Sequence, residues 1–154
     1  MTQDPSDLLR RITRLHTSLQ QHTAQCCGLH SLTRCQILTI LGRAGPLTLA
    51  TLGRQLGADK AWMSRNVDEL VREGLIDKQP GQTDRRVVVL TLTQEGQAQV
   101  RRLNTELGHQ SARLLGRIPP NEQASVLRAL ELLADALEAE CACAAEDGGP
   151  CAAS

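Results

Sequence analysis

Aromatic side chains are almost missing from this chain of 154 residues, which has no tyrosine or phenylalanine and only Trp62 as an aromatic residue. The core must therefore be built from leucine, isoleucine, valine and alanine, a composition that favours helices. Hydrophobic residues still make up 41% of the chain, which excludes a disordered protein. The length suits one domain with a core of its own, or a compact domain with added dimerisation helices.

A net charge of either sign is also missing, because 17 basic residues balance 17 acidic ones. This balance argues against a generally basic surface that coats nucleic acid. The distribution is more informative than the total. Acidic residues dominate from Pro119 onward, whereas the basic residues, nearly all arginine, are spread through the first two thirds.

Segments that would target or span a membrane are absent as well. The start, "MTQDPSDLL", is polar and acidic, unlike a signal peptide. The longest apolar runs are too short to cross a bilayer. We therefore expect a cytoplasmic protein without membrane contact. Its six cysteines are then expected to be reduced thiols, metal ligands or redox switches rather than a disulfide framework.

The two ends of the chain carry long apolar stripes at helical spacing. The first stripe is formed by Leu8, Ile12, Leu15 and Leu19. It predicts a helix over about 6–27, capped by Ser6 and ended by Gly28. Similar stripes predict helices over about 94–140, with a break at Pro119–Pro120. Stripes of this length have no obvious partner in so small a chain and are typical of dimerisation helices.

The middle of the chain predicts three short helices followed by a hairpin. Thr33 and Gln36 form a capping-box pattern for a helix through Gly42, and "RAGPLT" predicts a turn. Thr48 and Asp59 can cap the next two helices. "LIDKQP" and "VVVLTLT" predict two strands around the polar loop "GQTDRR".

The predicted fold is therefore mainly α with a small β-hairpin, arranged as a winged helix-turn-helix between N- and C-terminal dimerisation helices. Residues 1–140 form a single domain, with the winged helix at about 33–93. Residues 141–154 are expected to be a flexible, cysteine-rich tail.

A winged helix places the second helix of its motif in the major groove of DNA. The exposed face of that helix offers Arg65 to guanine, Ser64 to a base or phosphate, and Lys60 to a phosphate. Trp62 lies either against a sugar or methyl group or under the first helix of the motif. An arginine at the tip of the hairpin suits the narrow minor groove, and Asp84 is predicted to hold it through a carboxylate pair.

The segment "LTLATLGRQLGADKAWMSRNVDELVREGLIDKQPGQTDRRVVVLTLTQEG" closely resembles the core of the MarR family of winged-helix regulators, and the resemblance covers about residues 6–140. It implies a homodimer on a pseudo-palindromic operator of double-stranded DNA, usually a repressor released by an effector. It also implies that Arg86 enters the minor groove with Asp84 as its orienter. The lack of tyrosine and phenylalanine departs from relatives with aromatic ligand pockets. The candidate DNA-contacting residues are Thr48, Lys60, Trp62, Ser64, Arg65, Asn66, Asp84, Arg85 and Arg86.

Three cysteines fall where the first dimerisation helix meets the winged helix: Cys26, Cys27 and Cys35. Cys35 lies near a predicted helix N-terminus, where the dipole would lower its pKa. The turn at Gly28 would bring it near one of the other two, since adjacent helix positions point about 100° apart. The tail adds a possible second group: Cys141, Cys143 and Cys151.

The cysteines leave three hypotheses open. Thiolates favour soft ions, so the cluster would bind arsenite, antimonite or another soft metal ion as an effector, with no cofactor required for DNA binding. Alternatively, Cys35 or Cys26 is oxidised and a second cysteine resolves it, as in a peroxide sensor. The third hypothesis is that buried cysteines act as small apolar residues. His22, one turn before Cys26, also allows a zinc site.

Other classes of function are less consistent with the sequence. There is no glycine-rich phosphate loop, no H-E-x-x-H motif and no nucleophile triad, so we predict that the protein is not an enzyme. A pure scaffold would show no salt-dependent affinity for DNA, whereas a regulator that uses arginine contacts would show a steep dependence.

Overall fold

The structure is a computed structural model that describes residues 4–146, with side chains through Ala142. In this range the chain forms six helices and three strands. They are α1 (Pro5–Cys26), α2 (Leu32–Ala44), β1 (Leu47–Thr48), α3 (Leu49–Gln55), α4 (Lys60–Arg72), β2 (Ile76–Pro80), β3 (Val88–Leu92), α5 (Gln94–Leu115) and α6 (Pro120–Glu146). The prediction of a mainly helical winged helix-turn-helix is confirmed.

Local side-chain caps fix the start of most helices. Thr48, Asp59 and Thr93 accept hydrogen bonds from backbone N–H groups in the first turns of α3, α4 and α5, as their positions predict. At α1 the cap is Asp4 rather than Ser6, because Pro5 occupies the first helical position and the Asp4 carboxylate accepts from the Ser6 N–H at 3.1 Å.

The start of α2 differs from the predicted capping box. The N-cap is Ser31, which makes no side-chain cap, and Thr33 already lies inside the helix. Tertiary packing explains the difference. Leu29 is 1% exposed, so its insertion into the core decides where the chain turns into α2. Gly28 and His30 flank it with positive φ angles of 75° and 54°, which make this a tight turn.

The three strands form one antiparallel sheet in the order β1-β3-β2. The predicted hairpin pairs Ile76 with Leu92 and Pro80 with Val88. β1 was expected to be part of a turn. It is only two residues long and therefore has no detectable alternation, yet Leu47 pairs with Leu90 across the sheet.

The buried core lies under the winged helix and is almost entirely aliphatic. Its largest fully buried side chains are Leu29, Ile37, Leu38, Leu52, Met63, Leu70, Ile76, Leu90, Leu103 and Val67. The core extends to Ala24 at the end of α1 and to Leu103 in the first half of α5. Beyond these points the helices that flank the winged helix bury little.

The outer faces of α1 and α6 are apolar and open. The large apolar residues of α1 between Leu8 and Leu19 are 40–51% exposed, and Leu130 and Leu137 on α6 are 47% and 52% exposed. Apolar surface of this extent usually marks an interaction face. α6 also continues to Glu146, past the expected start of the tail at residue 141, because its alanines are good helix formers.

The approach of α5 to the sheet depends on Gly96. A Cβ atom at this position would lie 2.0 Å from the Leu75 carbonyl oxygen, whereas one at Gly108 in the same helix would meet no atom within 4 Å. We expect Gly96→Ala to reduce the free energy of unfolding by about 1–3 kcal/mol through overpacking. Gly108→Ala is the matched control and should raise it by about 0.5–1 kcal/mol. Urea unfolding measures both, and equal stabilisation by the two variants would contradict the close approach.

Candidate nucleic-acid interface

The helix-turn-helix consists of α3 and α4, joined by a short turn at Gly57. α4 buries Met63, Val67 and Leu70 completely, so these residues form its apolar face. This burial turns the opposite side of α4 outward. Lys60 and Arg65 lie on this exposed side, and neither has an ion-pair partner among the residues that the structure describes.

Trp62 lies in the first turn of α4, and 38% of it is exposed. The sequence allows two positions for this side chain, one against a sugar or methyl group of DNA and one beneath the first helix of the motif. Its exposure favours the solvent face over a position beneath α3. An exposed tryptophan here can contact a sugar or a thymine methyl group by its apolar surface.

Three other candidate residues use their polar groups within the protein. The Asn66 amide donates to the Trp62 carbonyl oxygen at 2.9 Å. Ser64 Oγ donates to the Asp68 carboxylate at 3.5 Å. Thr48 Oγ1 accepts from the Thr51 N–H at 3.0 Å. These side chains stabilise the reading helices in the free protein, and their contacts with DNA stay a prediction.

An ion pair between Asp68 and Lys78 joins α4 to the first strand of the wing. The hydrogen bond from Lys78 is the main cause that lowers the pKa of the Asp68 carboxyl below its usual range. The sequence pattern alone predicts no role for Lys78. The only available signal was opposite charge ten residues apart across a turn, which does not by itself identify a contact.

The wing loop is shaped by backbone bonds and by Asp84. The Gly81 N–H donates to the Val87 carbonyl oxygen at 2.8 Å, and the Val87 N–H donates to that of Asp84 at 3.0 Å. The Asp84 carboxylate accepts from the Arg86 backbone N–H at 2.9 Å. The predicted carboxylate–guanidinium pair is therefore wrong for this structure, because a separation of two residues favours an Asx turn.

The wing arginines are consequently available for a ligand. Arg85 and Arg86 are exposed, and neither forms an ion pair with any residue in the described part of the chain. Asp84 still has an orienting role, but it orients the loop backbone rather than a guanidinium group. Unpaired arginines on a narrow hairpin suit the minor groove.

The cysteines at the junction of α1 and α2 point in different directions. Cys27 packs against the core cluster that contains Cys35, which is 4% exposed. Burial, and then the neighbouring Cys27, raise the pKa of the Cys35 thiol. The predicted lowering was wrong, because desolvation outweighs the helix dipole at this buried position.

Cys26 is exposed on the other side of α1, with its Sγ 3.8 Å from Nε2 of His22. It borders an open groove of about 790 Å³ between α1 and α5 that Cys27 also lines. The groove carries Arg101, Arg102 and Glu106 from α5. Burial, Glu106 and Cys26, in that order, raise the pKa of the Cys27 thiol.

No three metal-ligating side chains converge within residues 4–142. The junction therefore offers a Cys27–Cys35 pair and an exposed Cys26 rather than a ready three-sulfur site. Cys141 is an exposed free thiol on α6. The side chain of Cys143, and Cys151 as a whole, lie outside the described residues, so the second thiol group stays a prediction.

Together, the fold and the exposed face of α4 define a winged helix-turn-helix protein. The MarR family model matches residues 31–88. RV1404 from Mycobacterium tuberculosis is 30% identical, with 88% of this chain and 95% of that chain covered and a TM-score of 0.74. The chain belongs to the MarR family, and it is a transcriptional regulator rather than an enzyme.

A further relative agrees with this assignment, and a further solved structure agrees with the fold. The uncharacterized HTH-type transcriptional regulator YfiV of Bacillus subtilis is 29% identical over 109 residues, which cover 70% of this chain and 68% of YfiV. The structure of FabT from Streptococcus pneumoniae in complex with DNA is 20% identical, covers 88% of this chain and 98% of FabT, and has a TM-score of 0.72. Within residues 4–146, no helix has the length and hydrophobicity needed to cross a membrane.

The accessibility of the thiols predicts an order of modification. In the native protein near neutral pH, N-ethylmaleimide should label Cys26 before Cys27, and Cys35 last, because only thiolates react rapidly and burial keeps Cys35 protonated. Labelling of Cys35 should accelerate only above the ordinary thiol pKa of about 8.5. Mass spectrometry of timed digests measures the order, with urea-unfolded protein as the control. Equal rates for Cys26 and Cys35 in the native state would contradict the buried position of Cys35.

Proposed function

We propose that this protein is a homodimeric repressor that binds a pseudo-palindromic operator, with α4 in the major groove and the wing in the minor groove. One observation carries the proposal: both DNA-reading elements of the winged helix present basic side chains that have no ion-pair partner among the described residues. Lys60 and Arg65 provide them on α4, and Arg85 and Arg86 on the wing. The similarity in fold to FabT, which was solved in complex with DNA, supports this placement.

The apolar faces of α1 and α6 support the homodimer. Leu15 on α1 and Leu132 on α6 are 51% and 54% exposed, although burying each would be favourable. A second copy supplies matching apolar stripes on its own α1 and α6. A two-fold dimer also presents two α4 helices, as two half-sites one helical turn apart require.

DNA binding by a protein without net charge must depend on a few local contacts. We expect Arg86→Ala to weaken operator binding about tenfold or more, and to lower the slope of log K against log salt by about 1 as one phosphate-region contact is lost. Fluorescence anisotropy measures the affinity on an operator selected from random DNA with the wild-type protein. The dimer should remain intact by size-exclusion chromatography.

Arg128→Ala is the matched control for this measurement. Arg128 is exposed on α6, where its Nη1 atom lies 3.5 Å from Oε2 of Glu131. Its removal takes away the same charge from the whole protein but none from the winged helix. Equal losses of affinity for the two variants would mean that net charge, and not the wing, sets DNA binding.

We further propose that the effector is a soft metalloid, such as arsenite or antimonite, which binds the thiolates at the α1–α2 junction. Cys27 packs against the core cluster that contains Cys35 and is close enough to raise the pKa of that thiol. Two neighbouring thiols at the junction of α1 and α2 support this effector class, because trivalent arsenic bonds to sulfur. Cys141, Cys143 and Cys151 would provide a second group.

The same pair also favours a redox regulator as the second candidate. A hydroperoxide would oxidise one thiolate to sulfenic acid and leave as an alcohol. The second thiol would then displace water and form a disulfide. Both candidates act at Cys27 and Cys35. The redox candidate differs in that it consumes an oxidant, and a reductant reverses the oxidation without the removal of a bound ion.

Release from operator DNA distinguishes the two candidates. We expect arsenite to release the wild-type protein and an added dithiol to restore binding, with no response from Cys27→Ser or Cys35→Ser. Release by cumene hydroperoxide with reversal by a reductant would instead favour the redox candidate. Truncation after Glu140 removes all three cysteines of the second group and so separates their effect from that of the junction. If neither reagent weakens operator binding by wild type, the proposed thiol effector is wrong.

A further inference from the structure

Arg34 is a buried cation in the first turn of α2. Its side chain is 7% exposed and forms an ion pair with Glu73. Its Nε atom has no hydrogen-bond partner in the described part of the protein. A buried guanidinium is unfavourable unless it is paired, so Glu73 is the group that holds Arg34 in this position.

Glu73 occupies a place that helix preferences do not explain. It is the C-cap residue of α4, at the negative end of the helix dipole. An acidic side chain is disfavoured there, and a basic one would be preferred. The contact with Arg34 provides the compensating interaction, and it ties the end of the DNA-reading helix to the start of α2.

The side chain of Cys35 also positions the first turn of α2, on a different side of the helix from Arg34. Cys35 follows Arg34 in sequence, so its side chain points about 100° away around the helix. It lies in the core cluster against which Cys27, at the end of α1, packs, and Cys27 is close enough to raise its pKa. Ser31 adds no side-chain cap, so this turn is positioned mainly by its tertiary contacts.

We propose that Arg34 and Glu73 are positioning residues that transmit a change at the Cys27–Cys35 thiols to α4. A bridge between the two sulfurs would displace the first turn of α2. Arg34 would then either move Glu73 with it or break the ion pair with Glu73. Either outcome would alter the position of α4 relative to the wing. This inference depends on the proposed thiol response, and it assigns the route by which that response reaches DNA.

The measured quantity is a coupling ratio, the operator Kd after thiol modification divided by the Kd before it. Phenylarsine oxide is a suitable probe because its arsenic bridges two neighbouring thiols. The double variant R34M/E73Q removes both charges and leaves no unpaired buried ion. Glu69→Gln is the matched control, since Glu69 is an exposed acid one turn earlier on α4 without an ion pair in the described residues.

We expect a coupling ratio of tenfold or more for wild type and Glu69→Gln. For R34M/E73Q it should fall below threefold, at equal probe occupancy measured by intact mass. Unmodified R34M/E73Q should keep the salt slope of wild type, because Arg34 is buried and Glu73 is an acid that phosphate would repel. A pair that only stabilised the fold would lower the unfolding midpoint and leave the coupling ratio unchanged.

The outcomes separate this inference from the proposed function. Release of wild type and R34M/E73Q with equal ratios overturns the route through Arg34 and leaves the thiol response intact. A wild type that binds the probe without leaving DNA overturns both. If R34M/E73Q does not fold, Glu73→Asp keeps the charge but shortens its reach. Its ratio should lie below that of wild type, and an unchanged ratio would overturn the inference.

Discussion

The burial of α2 is the constraint on which the other elements depend. Ile37, Leu38 and Leu41 are 0–2% exposed, and α2 packs against α1, α4, α5 and β3. Without phenylalanine or tyrosine, this packing needs a close approach of backbones rather than large side chains. Gly42 shows how close it is, because a Cβ atom there would lie 2.7 Å from Cγ1 of Val100 on α5. α2 therefore supports both the winged helix and the flanking helices α1 and α5.

The basic side chains of the winged helix fall into two groups according to whether they contact an acid. Basic side chains that contact an acid, such as Arg34 and Lys78, join one element of the winged helix to another. Basic side chains on the outward faces of α4 and the wing have no such partner in the described residues. A chain with zero formal net charge can thus present a basic surface locally.

Features set by neighbouring residues could be predicted from the sequence, and features set by tertiary contacts could not. The caps at Thr48, Asp59 and Thr93, and the apolar face of α4, depend on spacing along the chain. β1 is too short for a pattern, and it exists because β3 pairs with it. The pKa of Cys35 depends on burial, which outweighs the helix dipole that sequence position indicates.

The three cysteines at the junction of α1 and α2 differ in their exposure to solvent and in their contact with the core. Helical geometry turns Cys26 toward solvent beside His22 and Cys27 toward the core beside Cys35. A reagent in solution therefore meets Cys26 first, but only a change at the inner pair bears directly on α2. Ser31 provides no side-chain cap for the first turn of α2, so the tertiary contacts of Cys35 and Arg34 position this turn. In the proposed response, a change at the inner thiols would act on this turn directly.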